Sequence, residues 1–107
     1  MEDLVSNEIT KKLIEKGFPI LYYTDSKMER KPFDPTIYEV LKWLREEKDI
    51  DLVINPVFFY DDDLGRMREY GCKVFAPSLN KPKHCGYHEK WEQASIVGIE
   101  YVLDDLI

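Results

Sequence analysis

The chain has 107 residues, of which 44% are apolar, 34% charged and 13% aromatic, a profile that excludes disordered, fibrous and membrane-spanning proteins. That length suits one hydrophobic core, so we expect a single domain over residues 1–107. Fifteen lysine and arginine residues against 21 aspartate and glutamate residues give a formal net charge of −6, which disfavours nucleic-acid binding. The acidic start lacks the features of a secretory signal, and we expect a cytoplasmic protein.

The first third of the chain predicts a helix, a strand and an exposed loop. Ser6 is a favourable N-cap, apolar side chains then recur at four-residue spacing, and Gly17 favours a left-handed stop. Residues 20–23 are β-prone and predict a first strand. The polar and charged residues 24–33 predict an exposed loop.

A second helix has two candidate starts. Asp34 can cap a helix that has Pro35 at its first position, or Thr36 can be the cap, with Glu39 completing a capping box. Both starts lead to the same amphipathic helix. Its apolar face is formed by Ile37, Val40, Leu41 and Leu44.

The second half of the chain first predicts two strands. Alternating apolar residues in 49–55 predict a half-buried strand, and Pro56 marks an edge, a bulge or a break before the apolar residues 57–60. Residues 61–65 predict a turn. Residues 72–76 predict a further strand, which we expect to form a hairpin with the preceding one.

Residues 77–86 predict a loop, and the last helix is expected from about residue 88 onward. Ala94 and Gly98 form a strip of small residues in that helix, where a strand or a helix can approach closely. The element order is therefore α-β-α-β-β-α. We expect an α+β fold in which a three-stranded, mainly antiparallel sheet packs with three helices on one face.

Three helical stretches form a pattern along the chain. They are an opening helix that ends in Glu-Lys-Gly-Phe (residues 4–18), a Trp-Leu-Arg-Glu helix (residues 42–47) and an Ala-x-x-x-Gly-Ile-Glu helix (residues 94–100). This pattern resembles a group of small conserved hypothetical proteins of gut Bacteroidetes, their phages and their mobile elements. The resemblance implies a shared fold and a phage or mobile-element setting. No activity is assigned to that group, so the resemblance implies no functional residue.

The stretch that most suggests chemistry holds Cys85 between His84 and His88, with Cys72 upstream. Thiolates and imidazoles are zinc ligands, but the cysteines are thirteen residues apart and form no Cys-x-x-Cys knuckle. We expect Cys72 to be a small core residue of a strand, both histidines to be solvated and both thiols to be free. Whether the four side chains converge is left open, and no metal or cofactor site is assigned.

Two further patterns favour structural roles. Cys85 has histidine bases nearby, yet no orienting carboxylate or oxyanion hole is recognisable, so we assign no catalytic residue and expect a non-enzymatic protein. The acidic run Asp61, Asp62 and Asp63, with Glu69 beyond it, lacks the alternating ligand order of a calcium loop. We expect it to be a solvated turn that keeps a sheet edge soluble.

Basic residues cluster in two loops, 27–31 and 81–90. These residues are Lys27, Arg30, Lys31, Lys81, Lys83 and Lys90. If the fold joins the loops, they form a phosphate-binding patch, and Tyr22, Tyr23 and Tyr87 are available to stack bases. A nucleic-acid-associated accessory protein is therefore the alternative function, although we expect these charges to be scattered for solubility.

Adjacent aromatic residues, Tyr22-Tyr23 and Phe58-Phe59-Tyr60, place rings on both faces of the predicted strands. With helices on one side only, the sheet would expose an aromatic face, and such patches mark interfaces. The other outcome is that the final helix or a long loop covers that face. The favoured function is a small, non-catalytic protein-interaction module of phage or mobile-element origin, which binds a protein partner or a second copy through its sheet.

Overall fold

A computed structural model describes residues 3–107 as helices packed on one face of an antiparallel sheet, with a small separate ribbon. The elements are α1 (Asn7–Glu15), β1 (Tyr22–Thr24), β2 (Arg30–Pro32), α2 (Ile37–Lys48), β3 (Asp51–Asp61), β4 (Gly65–Phe75), β5 (Lys83–His88) and α3 (Trp91–Tyr101), which continues as a π-helical turn (Val102–Leu106). The sheet has the order β3-β4-β5, and β3 and β4 form a hairpin. This architecture confirms the predicted α+β fold. No helix among the described residues is long and apolar enough to cross a membrane.

Both early helices begin at side-chain caps. The Oγ of Ser6 accepts a hydrogen bond from the backbone N–H of Ile9 at 3.2 Å, which confirms the predicted start of α1. The Oγ1 of Thr36 accepts one from the N–H of Glu39 at 3.1 Å. Of the two candidate starts of α2, the cap at Thr36 is therefore the correct one, and the start at Asp34 is wrong.

The segment predicted as an exposed loop, residues 24–33, contains a strand. β1 and β2 pair with each other as a two-stranded ribbon, with Tyr23 opposite Lys31, and β1 does not join the main sheet. The turn between them is held by Asp25, whose Oδ1 accepts hydrogen bonds from the N–H groups of Lys27 and Glu29, each at 2.9 Å. A short polar strand has no apolar alternation, so the sequence pattern does not indicate it.

Two boundaries in the second half also differ from expectation. Of the outcomes considered for Pro56, an edge strand is correct: β3 runs through it at the sheet edge, opposite Tyr70. A proline is tolerated there because its missing donor does not interrupt a ladder. The predicted loop 77–86 contains the first part of β5, which supplies the third strand of the sheet, and the last helix begins later than expected, at Trp91.

The predicted small-residue strip of α3 is where this helix meets the sheet. A Cβ atom added at Gly98 would lie 2.5 Å from the Sγ of Cys72 and 2.6 Å from the Cδ2 of Leu52, so the approach requires glycine. Ala94, one turn earlier, is fully buried. The core between sheet and helices is formed by Val5, Ile9, Leu13, Phe18, Ile37, Val40, Leu44, Ile50, Val74, Ile99, Val102 and Leu103.

Beyond the third strand, the β3–β4 hairpin continues as a two-stranded ribbon. β3 and β4 are 11 residues long each, whereas the pairing of β5 with β4 reaches only as far as Tyr70. We call residues 56–69 the arm. The molecule is accordingly elongated, since its Cα radius of gyration is 16.1 Å, against ~13 Å for a compact chain of this length.

Replacing Gly98 tests the contact between α3 and the sheet. In an unconstrained helix, glycine to alanine stabilises by about 1 kcal/mol. We expect Gly98→Ala instead to lower the free energy of unfolding by roughly 1–3 kcal/mol, because the new methyl group overpacks the contact with Cys72 and Leu52. Urea denaturation measures the change.

Val97→Ala, on the exposed side of the same helix, is the control and should have a small effect. The double variant Gly98→Ala with Cys72→Ala should cost less than the sum of the two single changes, because removing Sγ frees space for the methyl group. A stabilised Gly98→Ala protein would show that the contact is not as close as described.

Candidate protein-binding face

The register of the sheet divides its side chains between two faces, because successive side chains of a strand point to opposite sides. One face lies against α3 and carries Leu52, Cys72 and Val74. We call the opposite face the open face. It is formed by Asp51, Val53, Asn55, Val57, Phe59, Met67, Glu69, Gly71, Lys73, Phe75, His84 and Tyr87.

Apolar side chains of the open face remain accessible to solvent along its length. Phe75 and Phe59 are each 40% exposed, Tyr87 is 57% exposed and Val57 is 36% exposed. A covering helix or loop would have buried them. The sheet therefore presents an aromatic face, which is the first of the two outcomes considered from the sequence, but Tyr22 and Tyr23 lie in the separate ribbon and do not contribute to it.

A bulge in β5 brings two of these side chains together. β5 pairs with β4 on either side of an irregularity, with Tyr87 opposite Gly71 and His84 opposite Lys73. Residues three apart in a regular strand point to opposite faces, but the extra residue places both rings on the open face, 4.8 Å apart. Gly86 allows this with a φ of +85°, and its N–H donates to the Nδ1 of His84 at 3.1 Å.

The open face has a shallow hollow at the root of the arm. Its volume is about 140 Å³, and it is lined by Asn55, Val57, Gly71, Lys73, His84 and Tyr87. A Cβ atom at Gly71 would lie 3.3 Å from the Cε1 of Tyr87, so the glycine lets the tyrosine ring lie across the strand. Ligand pockets usually exceed ~300 Å³, so this hollow suits a single side chain of a partner.

The helix side of the arm is aromatic as well. The guanidinium of Arg66 lies 4.4 Å from the ring centroid of Phe58, and that of Arg68 lies 5.2 Å from the ring of Tyr70. Phe58 is 53% exposed and Tyr60 is 75% exposed. A two-stranded ribbon is at best marginally stable in water. The arm thus carries more apolar surface than its own two strands can bury.

The acidic run forms the tip of the arm. The Oδ1 of Asp61 accepts hydrogen bonds from the N–H groups of Asp63 and Leu64, at 2.8 and 3.0 Å. This carboxylate therefore stabilises the turn, and the turn itself lies where the sequence predicts it. Asp62 and Asp63 lie within the turn itself and are exposed.

The fold does not bring the two cysteine and two histidine side chains together at one site. Burial, with the neighbouring Cys85 thiol, raises the pKa of the Cys72 thiol to about 12. His84 lies on the open face, and the Nε2 of His88 lies 3.0 Å from the backbone oxygen of Cys85. Within residues 3–107, no three His, Cys, Asp or Glu side chains are placed to hold a metal ion. The expectation that Cys72 is a small core residue and that both thiols are free is confirmed.

The environment of Cys85 is that of an unreactive thiol. Burial raises its pKa, and a nucleophilic cysteine requires the opposite shift because the thiolate is the reactive form. The opposing effects of its hydrogen bond with Cys72 and of the Lys83 charge do not reverse this direction of the pKa shift. The side chain instead packs against the hydrophobic core.

Cations of the two basic loops make local contacts. The guanidinium of Arg30 lies 4.1 Å from the ring centroid of Tyr22, and the Nζ of Lys31 lies 3.1 Å from a carboxylate oxygen of Asp25. In the other loop, the Nζ of Lys83 lies 5.8 Å from the ring of Tyr101. The strands next to these loops belong to different sheets.

A larger apolar groove lies on the helix side, between the start of the chain and α3. Its volume is about 430 Å³. It is lined by Asp3, Leu4, Ile37, His88, Glu92, Gln93, Ile96 and Val97. This groove is distinct from the open face, and it lacks the clustered exposed aromatic rings of the sheet.

Comparison of the chain with protein-family models, with curated protein sequences and with solved structures gave no match.

The buried thiol predicts a pH dependence. Below about pH 9, Cys72 is neutral in both the folded and the unfolded chain, so it makes no pH-dependent contribution. As the pH rises from about 9 towards 12, the thiol ionises only when unfolded, and the free energy of unfolding falls. Cys72→Ala lacks this contribution. Its free energy of unfolding is lower than that of the wild type at neutral pH, and this deficit should shrink by about 1 kcal/mol near pH 10.

Urea denaturation of both proteins between about pH 7 and 10 measures this difference. The change common to both proteins reports the other groups that titrate in that range. A deficit that is independent of pH would show that the Cys72 thiol is not shielded from solvent.

Proposed function

We propose that the protein is a small, non-catalytic interaction module that binds another protein chain through the open face of its sheet. The observation that carries this proposal is the uncovered row of apolar side chains there, above all Phe59, Phe75 and Tyr87. Contiguous exposed apolar patches on soluble chains mark interaction surfaces more often than any other role.

The composition of the open face supports a protein partner. Aromatic residues and methionine are enriched at the centres of protein interfaces, and charged residues are depleted there. On the open face, Phe59 lies opposite Met67, and the charged members are Asp51, Glu69 and Lys73. Projection of the arm beyond the third strand leaves this row accessible to a large partner.

The alternative nucleic-acid function has less support. Arg30 and Lys31 are engaged with Tyr22 and Asp25, which leaves less free positive charge in the loop 27–31. The acidic tip of the arm and the net charge of −6 would repel a phosphate backbone. The proposed phage or mobile-element setting comes from the sequence resemblance alone.

The proposal is tested with Phe59→Ser, matched with Tyr38→Ser as a control. Tyr38 is 67% exposed on α2, away from the sheet. Tagged wild type and both variants are used to capture proteins from a lysate of the encoding organism, with and without nuclease, and bound proteins are measured by mass spectrometry. We expect wild type and Tyr38→Ser to bind the same chain under both conditions. Phe59→Ser should lose at least about tenfold, as for a central aromatic contact.

Circular dichroism and thermal melts verify that both variants remain folded. Equal capture by Phe59→Ser would overturn the open face as the binding surface. Enrichment that vanishes with nuclease would favour the basic loops instead. Recovery of no protein, combined with a monomeric state of the purified chain, would overturn the interaction function altogether.

A further inference from the structure

We infer that the chain bound by the open face is a second copy of this protein, packed face to face with its arm running in the opposite direction. This inference rests on the proposed function and names its partner. A copy can approach closely on this side because α3 packs on the other face of the sheet, at Gly98. Two such sheets would form a sandwich with the helices outside, at the usual spacing of ~10 Å between sheets.

The charges along the hairpin select the direction. Asp61, Asp62 and Asp63 are at the tip, whereas Lys73 lies on the open face near the root, with the exposed Asp51 beyond it at the root end. Lys73 is opposite Val53, eight residues from Asp61 along β3, a separation of roughly 27 Å.

The antiparallel arrangement pairs these charges better than the parallel one. In it, the acidic tip of each copy lies over Lys73 of the other, and the symmetry makes this contact twice. A parallel arrangement would bring the two tips together and place six carboxylates side by side. Charge complementarity therefore favours a two-fold axis that lies between the sheets and crosses their strands.

The apolar side chains match in the same arrangement. The arm carries Val57, Phe59 and Met67 on the open face, and the root carries Tyr87 and Phe75. Reversing one copy so that its tip lies over Lys73 places Phe59 and Met67 of each arm over Tyr87 of the other, whereas Phe75 lies under the partner's tip. The hollow of about 140 Å³ beside Tyr87 is then filled by a side chain from the partner's arm, so each site is complete only in the dimer.

The available area reaches the lower limit for a specific interface. Aromatic side chains offer ~150–250 Å² each, so Phe59, Phe75 and Tyr87 expose on the order of 300 Å² at their observed exposed fractions. The aliphatic and polar members of the face raise this to about 500 Å² per copy, or about 1,000 Å² in total, where specific interfaces begin. Glu69 lies near the middle of the face, so the Glu69 carboxylates of the two copies come close together, and their repulsion weakens the contact. We expect a dimer that dissociates on dilution.

Charge reversal tests the arrangement. Lys73→Glu and Asp62→Lys should each weaken the dimer at least tenfold, because each change creates two like-charged contacts per dimer. An equimolar mixture of the two variants should recover the wild-type dimer, since both tip-to-root contacts then join opposite charges. Lys11→Glu is the control: it makes the same change of charge as Lys73→Glu at an exposed position of α1, and it should have little effect.

Sedimentation velocity over a range of protein concentrations measures the equilibrium between the 12.7 kDa chain and its dimer. A monomer at every concentration, or a dimer unaffected by both reversals and by Phe59→Ser, would overturn the inference. So would two weakened variants that do not recover on mixing. If the wild type is monomeric but captures a lysate protein that Phe59→Ser does not capture, the second copy is refuted as the partner and the proposed function stands.

Discussion

The close approach of α3 to the sheet at Gly98 is the constraint on which the rest of the structure depends. The helix backbone lies so near Cys72 and Leu52 that no Cβ atom fits between them. This contact brings α3 against one face of the sheet and joins the hydrophobic core there. The helices pack on this face, and the opposite face of the sheet is left without one.

The arm is covered even less than the rest of the sheet. β5 stops pairing at Tyr70, so the distal half of the hairpin has neither a third strand nor a helix above it. The exposed rings of Phe58 and Phe59 then lie on opposite sides of a ribbon that cannot bury either one. Pro56 lies at the edge of the same strand and removes one backbone donor, which discourages pairing through the edge. The chemistry of the arm therefore favours association through a face.

Local signals were sufficient for some elements and not for others. The cap at Ser6 could be predicted, and the cap at Thr36 was one of two candidates, because each hydrogen bond closes within three residues. The division of the strands between the main sheet and the ribbon could not be predicted, since the ribbon strand around Lys31 is polar and its pairing depends on the turn at Asp25. The aromatic face could be predicted from the alternation of side chains alone. Its exposure depends on the face against which α3 packs, which is set by tertiary contacts and not by the local sequence.

The bulge in β5 shows how one irregular residue changes the chemistry of a surface. If β5 continued regularly from Tyr87, alternation would place Cys85 on the open face and His84 against the helices. The extra residue, with Gly86 at a positive φ, exchanges these positions. Cys85 then joins Cys72 beside the core as an unreactive thiol, while His84 stacks near Tyr87 on the open face. A stretch that suggests a metal site in sequence thereby becomes a pair of neighbouring thiols, one buried and one half-buried, and part of the open face.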